Sequence, residues 1–592
     1  MKSISLFSIV LIALSLFGCE SSPPVSPGTF SPFDTSIPWQ HVNGPPGGQI
    51  LSAAISGTNM FAGTNTGVFR STNSGANWTA ASSGLRSYSW TSRLVAYRDT
   101  IFTISSSGVY RSTNNGGSWS QLGSLFYSAS AISVSSLGVF AGTGNGVYVY
   151  SDSNGGTWNP TGLLYIPVTV LAVSGTNLFA GTSGYGCLRS TDGGSTWAIA
   201  NSGLTNSYVS ALAIVGSTIL ASVSSGVFRS TDSGSHWNRS NNPSSYSSCL
   251  AVDSGRVFSG GNGTIEMSSD EGVTWNSLGS VSTNATILSI AANGNEILAG
   301  TDAGAFVSTD NGSHWSDANS GLANAQVAGF TFSGTNLVVS VQNQGILVSS
   351  DQGSTWQKTN ITSGYGGSFA TSGNFLFAGT GNGLFRSSDN GRSWVATSGI
   401  GPSSNITRLI GDDSHLYVST YDHLFLSLDN GSSWKDVTPP IQNASINRLA
   451  LSGEYVFAGG YNGFYRSSDF GTTWSDVKLG IPGVQITVLV YGRGTLVASS
   501  YPYVSGIYLS YDNGTTWHTS NPQILQYSSP TDFAFHGPDI IAATYEEVYV
   551  SRDEGITWTS TALRTTGLNK IEIDGNDLYV GSYYTGLWRH PL

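Results

Sequence analysis

Residues 209–241 read VSALAIVGSTILASVSSGVFRSTDSGSHWNRSN. VSALAIV is a short apolar run that stops at Gly216-Ser217. TILASV follows and stops at Ser224-Ser225, and GVFRS leads into a polar turn that ends on Trp237 and a last short segment. Short runs bounded by Gly, Ser, Asn and Asp are strands joined by tight turns, because these residues supply the turn conformations and the local hydrogen bonds. The reading is four antiparallel strands. Four strands this short leave open edges and bury little surface alone, so the unit needs neighbours of its own kind.

The neighbours are visible in the polar turn. Its pattern, Ser-x-Asp-x-Gly-x-Ser/Thr-Trp, stands as STDSGSHW at 230–237, STDGGSTW at 190–197, SSDEGVTW at 268–275, STDNGSHW at 308–315 and SSDQGSTW at 349–356. It continues as SSDNGRSW at 387–394, SLDNGSSW at 427–434, SSDFGTTW at 467–474, SYDNGTTW at 510–517 and SRDEGITW at 551–558. Three earlier copies, at 71–78, 112–119 and 151–158, carry Asn73, Asn114 and Ser153 in place of the Asp. Thirteen copies start 38 to 43 residues apart and hold thirteen of the sixteen tryptophans. A four-stranded repeat of this period is a propeller blade. Within the turn the Asp accepts backbone N–H groups, the glycine supplies a positive φ, and the tryptophan is placed to fill the space between blades.

A further unit, KIEIDG, DLYVGSYY and TGLWRHPL, follows the thirteenth box and lacks a fourth strand. Residues 37–42, IPWQHV, read as a lone outer strand with no blade before it. Together they complete a fourteenth blade, the closure that leaves a ring no free edge. Rings hold ~4–8 blades, so the expectation is an all-β tandem propeller of fourteen four-stranded blades in two seven-bladed rings. Requiring the lone strand and the last unit to share a ring with the first blade places propeller I at 39–285, completed by 566–592, and propeller II at 286–565. A single division near residue 323 is the alternative.

The repeated turns resemble the Asp-box (BNR) repeats of sialidase-like and sortilin-like propellers. Long series of such boxes make the chain similar to the two-propeller xyloglucan-hydrolysing glycosidases, and half of it at a time to the single-ring photosystem II stability and assembly factors. The resemblance covers residues 39–592 and implies the fold, since the boxes are structural in all these families. It also implies, for a xyloglucanase, one catalytic aspartate per ring in Thr-Asp-x-Gly-like segments. Thr301-Asp302-Ala303-Gly304, at the start of propeller II in this division, matches one, which makes Asp302 the catalytic candidate. The equivalent in propeller I, Thr64-Asn65-Thr66-Gly67, has an amide, and an amide can be neither general acid nor general base. The sialidase Phe-Arg-Ile-Pro motif is absent, and Arg70, Arg111, Arg229, Arg386 and Arg466 fall at one repeating blade position. They read as a structural slot.

Charge narrows the function. Lys+Arg 23 against Asp+Glu 34 gives −11, with only five lysines, so the clustered cations that a phosphate backbone needs are missing and nucleic acid is excluded as a partner. Three cysteines and eight scattered histidines point to no disulfide scaffold, no metal and no cofactor. Residues 1–18 read as a signal peptide, with one lysine and a short apolar run before Leu16-Phe17-Gly18-Cys19. That tetrapeptide resembles a bacterial lipobox with Cys19 as the lipidated residue, and 19–38 reads as a Ser/Pro-rich tether. The expected protein is a monomer in the bacterial envelope, secreted or held to the outer membrane or cell surface through the lipid alone.

The loops between strands two and three, and those between blades, share the face opposite the boxes. Those of propeller I are bland, whereas later ones carry Tyr421, Asp422, Tyr461, Tyr501, Tyr503, Tyr545 and Glu546. Aromatic faces beside a few amides and carboxylates suit a sugar or an extended peptide. The expected function is therefore non-catalytic binding or scaffolding of an envelope protein, peptide or glycan. The alternative is a glycoside hydrolase acting on a β-glucan-like polysaccharide in the cleft between the rings.

Overall fold

The computed structural model describes residues 33–41, 48–86, 91–152, 156–242, 247–281, 285–320, 325–362, 366–400, 405–440, 446–460, 463–477, 485–501, 506–520 and 529–592. They form fourteen four-stranded antiparallel sheets. Thirteen are built from consecutive strands. We number them as blades 1 to 13, from Ile50–Ala80 for blade 1 to Pro530–Arg564 for blade 13. Blade 14 takes three strands from Leu568–Pro591 and its outermost from Gln40–His41, with Gln40 opposite Arg589 and His41 opposite Trp588.

Which blades share a ring differs from the expected division. The inner strand of blade 1, Ile50–Ser56, lies against that of blade 7, Ile287–Asn293. Ile50, Met60, Phe69 and Trp78 of blade 1 share one core with Leu298, Ala305, Val307 and Ala318 of blade 7. The Trp78 indole donates to the Ala318 carbonyl at 2.7 Å. Blade 14 instead closes on blade 8, where Tyr579 and Leu587 join the core of Phe330, Leu337 and Leu347. Asn569 Nδ2 donates to the Val327 carbonyl at 2.7 Å and Thr331 Oγ1 to Glu572 at 3.0 Å. Ring I therefore spans blades 1–7, residues 50–317. Ring II spans blades 8–14, residues 327–591, plus strand 40–41. The division into 39–285 with 566–592 and 286–565 is corrected, and the single break near 323 is the one found. The premise that failed was that a closing strand must stay in the ring of the blade that follows it. Residues 42–49 can reach ~3.3–3.6 Å each, which lets the chain change rings, while interblade packing decides which blades meet.

The box is built as its residues dictate. In blade 4 the Ser190 hydroxyl donates to Asp192 Oδ1 at 2.8 Å and accepts the Gly194 N–H at 2.8 Å. Asp192 Oδ1 accepts Thr196 N–H at 2.9 Å, and Oδ2 accepts the Thr196 hydroxyl at 2.6 Å. These donors hold the Asp192 carboxyl down at about 2. Asn73 does part of the same work with its one amide oxygen, which accepts the Asn77 N–H at 2.9 Å. In blade 7 both Asn311 (φ 59°) and Gly312 (φ 84°) lie in the left-handed region, which explains the frequent Asn-Gly at these positions. In several blades the indole then reaches back to the preceding one, as Trp119 does to Ala81 O at 2.7 Å and Trp237 to Ala200 O at 2.8 Å, while those of Trp197 and Trp394 donate within their own box, to Gly194 O and Gly391 O at 3.0 Å.

The recurring arginine has a matching partner. Arg70, Arg229, Arg386 and Arg466 each donate to the backbone carbonyl of the left-handed box residue in the next blade: Asn115, Glu271, Asn430 and Asn513, at 2.7–3.0 Å. Arg111 pairs with Asp152 at 2.7 Å. The slot is an interblade clamp.

Candidate functional site

Antiparallel order puts the boxes and the strand one–two hairpins on one face of each ring. The strand two–three loops and the blade connections lie on the other. On that face of ring II a cavity of about 590 Å³ opens among blades 11 to 14. Tyr545 and Glu546 lie on its wall, in the loop between Asp539–Thr544 and Glu547–Ser551. Tyr583, from the corresponding loop of blade 14, lines it as well, with Arg448, Thr487 and Asn569. The Tyr545 and Tyr584 rings meet edge to face, with centroids 6.5 Å apart. Hydrogen bonding to Tyr584 and then burial push the Tyr545 phenol up to about 12, so it stays neutral at ordinary pH.

Of the other sequence candidates, Tyr421 and Asp422 are exposed in the blade 10 loop and are not part of this cavity. Beside them His423 Nδ1 is paired with Asp436 at 2.8 Å. Tyr461 and Tyr503 lie outside the described residues, as does the Tyr501 side chain, and so does Cys19. Tyr583 and Tyr584 were missed. Their signal was present, since VGSYYTG in the last unit aligns with AATYEEV of the one before, but the unit has no box to mark its frame. Ring I also holds more than its strand two–three loops promise. Phe126 and Tyr165, in blade connections, are 97% and 81% exposed, and Tyr165 sits at φ 63°, an uncommon conformation for a bulky side chain.

Asp302 lies in blade 7 and so closes ring I instead of opening ring II. Its Oδ1 accepts the Thr286 N–H at 2.8 Å and its Oδ2 accepts Asn343 Nδ2 of ring II at 3.3 Å. Half-burial raises its carboxyl above the usual value. Asn65, its proposed counterpart, is in blade 1 of the same ring, so the two segments are not one per ring. Both groups that hydrogen-bond the Asp302 carboxylate are amides. With Lys358 and Asp317 at 2.8 Å, it ties blade 7 to blade 8, where the rings join.

Cys187 and Cys249 are free thiols in different blades, and burial pushes each up to about 12. Among the described residues no group of three His, Cys, Asp or Glu is placed to hold a metal, and no helix is long and apolar enough to cross a membrane.

The fold and its ring-face cavity define a tandem seven-bladed propeller. No family model and no curated protein sequence matches the chain. Among solved structures, it is similar to an ancestral GH74 enzyme (TM-score 0.71, 14% identity, 94% of this chain and 98% of that one). It is also similar to the GH74 xyloglucanase from Xanthomonas campestris (0.64, 14%, 93% and 99%). A third is PorZ, a bacterial surface component of the type-IX secretion system of Porphyromonas gingivalis (0.63, 15%, 93% and 87%). At these identities the likeness is one of fold, and that fold serves both hydrolases and a secretion component.

Proposed function

We propose that the chain is a non-catalytic binding protein of the bacterial envelope, exported and lipid-anchored at Cys19, which takes its ligand on the face of ring II. The observation that carries this is the cavity walled by Tyr545, Tyr583 and Glu546. Its volume falls in the ~300–1,000 Å³ range of small-ligand sites, and two tyrosine rings beside hydroxyl and amide groups suit a sugar or a threaded peptide segment. Against hydrolysis stands the setting of Asp302. Its carboxylate is held by a backbone amide and by Asn343, and the two-carboxylate route needs a second acid ~5–9.5 Å away. The tether supports the anchoring. Thirteen residues lie between Cys19 and Phe33, the first described residue, a reach of up to ~50 Å.

The test compares turnover and affinity. Xyloglucan and mixed-linkage β-glucan should yield no new reducing ends, and Tyr545→Ala/Tyr583→Ala should abolish ligand retention without unfolding ring II. Turnover that disappears in Asp302→Asn would make the protein a glycosidase. For localisation, Cys19→Ser should move the protein from the membrane to the soluble fraction.

A further inference from the structure

Strand register picks out one equivalent residue on the inner strand of each blade. In ring II it is Ser368, Arg408, Arg448, Val488, Asp532 and Lys570 in blades 9 to 14, and a glycine in blade 8. Each stands opposite a small residue of the second strand: Gly379, Ser419, Gly459, Ser499, Ala543 or Gly581. All six line a channel of about 230 Å³ to which every inner strand of the ring contributes. The channel shares Arg448, Thr531, Asn569 and Tyr583 with the larger cavity, so it is that cavity's floor. Ring I has only Arg93 as a charged residue at the matching positions.

The charges are unevenly disposed. Lys570 Nζ lies 3.5 Å from Asp532 and 4.0 Å from Glu572. Asp532 also accepts the Ile571 N–H at 3.0 Å, and Glu572 accepts Thr331 and Phe332 N–H. The two carboxylates are thus committed around Lys570. Arg408 forms no ion pair among the described residues, whereas the Arg448 guanidinium donates to the Asn447 carbonyl at 2.7 Å and to the Thr487 carbonyl. The remaining acid, Glu546, is at the rim. The site is acceptor-rich above, aromatic at its walls and cationic below.

We propose that ring II binds an acidic sugar, a uronate, with its carboxylate directed down the axis toward Arg408 and Arg448. A pyranose uronate supplies all three complements at once: hydroxyl donors for Glu546, an apolar ring face for Tyr545 and Tyr583, and an oxyanion for the guanidinium groups, whose paired N–H donors match a carboxylate. This deepens the function proposed above and rests on it.

The probes are trigalacturonate and its methyl ester, titrated calorimetrically into the protein. Trigalacturonate should bind about tenfold more tightly, the scale of one charge-assisted hydrogen bond. Raising NaCl from about 0.05 to about 0.5 M should erode that preference and leave the ester unaffected. Arg408→Gln should abolish the preference, while Lys435→Gln, on an outer strand, should leave it intact. Equal binding of acid and ester, with no salt effect on the wild-type protein, overturns the anion site and leaves ring II as a binding face for neutral sugars. Binding of neither sugar overturns both readings. The salt titration needs no variant, so misfolding of Arg408→Gln would not shield the proposal.

Discussion

Phe33 is fully buried although it precedes the first strand by several residues. Its ring stacks on His590 at 4.3 Å and sits among Ile541, Val548, Leu563, Leu578 and Val580. The Arg552 guanidinium donates to its carbonyl. Trp39, a few residues on, donates its indole N–H to the Thr561 carbonyl at 3.1 Å and tilts against His590 at 5.0 Å. The whole contact is with blades 13 and 14. Truncating Phe33 to Ala removes a buried ring and leaves a cavity, a change that costs ~3–5 kcal/mol where the surroundings cannot collapse. A unit the size of ring II moves by ~2 °C per kcal/mol, so its melting temperature should drop by ~6–10 °C. Scanning calorimetry of the wild type, Phe33→Ala and a ring I control, Phe61→Ala, assigns the transitions, since Phe61 is buried in the core between blades 1 and 2. Phe33→Ala should lower only the transition that Phe61→Ala leaves in place. A shift of the ring I transition, or none in either, would refute the assignment of the N-terminal strand to ring II.

Acid should separate the rings. Burial lowers His590 and His536, both in ring II, from 6.5. The unfolded chain therefore binds more protons just below that pH, and ring II should lose stability as pH falls through 6.5. The box aspartates, held at about 2 in Asp192, Asp310 and Asp429, stabilise both rings above 3.8, and that contribution should fade as pH drops from there toward 2. Calorimetry at stepped pH reads both, and simultaneous loss in the two rings near pH 6 would contradict the first. Asp429→Ala, which frees the Ser432 and Ser433 amides, should lower the ring II melting temperature and leave sugar affinity in the folded fraction unchanged. Trp78→Ala should destabilise ring I by ~3–5 kcal/mol without altering ring II, read in the same scans.

The blade and its box were legible because every element has a local cause. Hairpin turns need glycine or serine, the box needs Asp and Gly at a fixed spacing, and Trp marks each interface. The closing strand was legible too, since IPWQHV has the outer-strand pattern without a blade. The ring boundary was not. Nothing in Ile50 or Tyr579 says that one will meet Leu298 and the other Phe330, because blade partners are chosen by surfaces that every repeat shares. The axial arginines escaped for a related reason. Thr407-Arg408-Leu409 and Asn447-Arg448-Leu449 look like ordinary exposed strand positions, and only register sets them in a common channel.

The clasp between Gln40–His41 and Gly586–Pro591 also imposes an order of events on synthesis. All seven blades of ring I have been made once residue 320 emerges, so that ring can close while the rest of the chain is still being translated, as N-terminal units generally do. Ring II cannot. Its outermost strand is made long before its counterpart, so strand 40–41 must wait, unpaired, through more than five hundred intervening residues. A waiting edge invites wrong partners, and blade 14 can be completed only when both of its segments are at hand. A ribosome stalled before residue 586 would thus leave a finished ring I joined to a ring II that cannot lock.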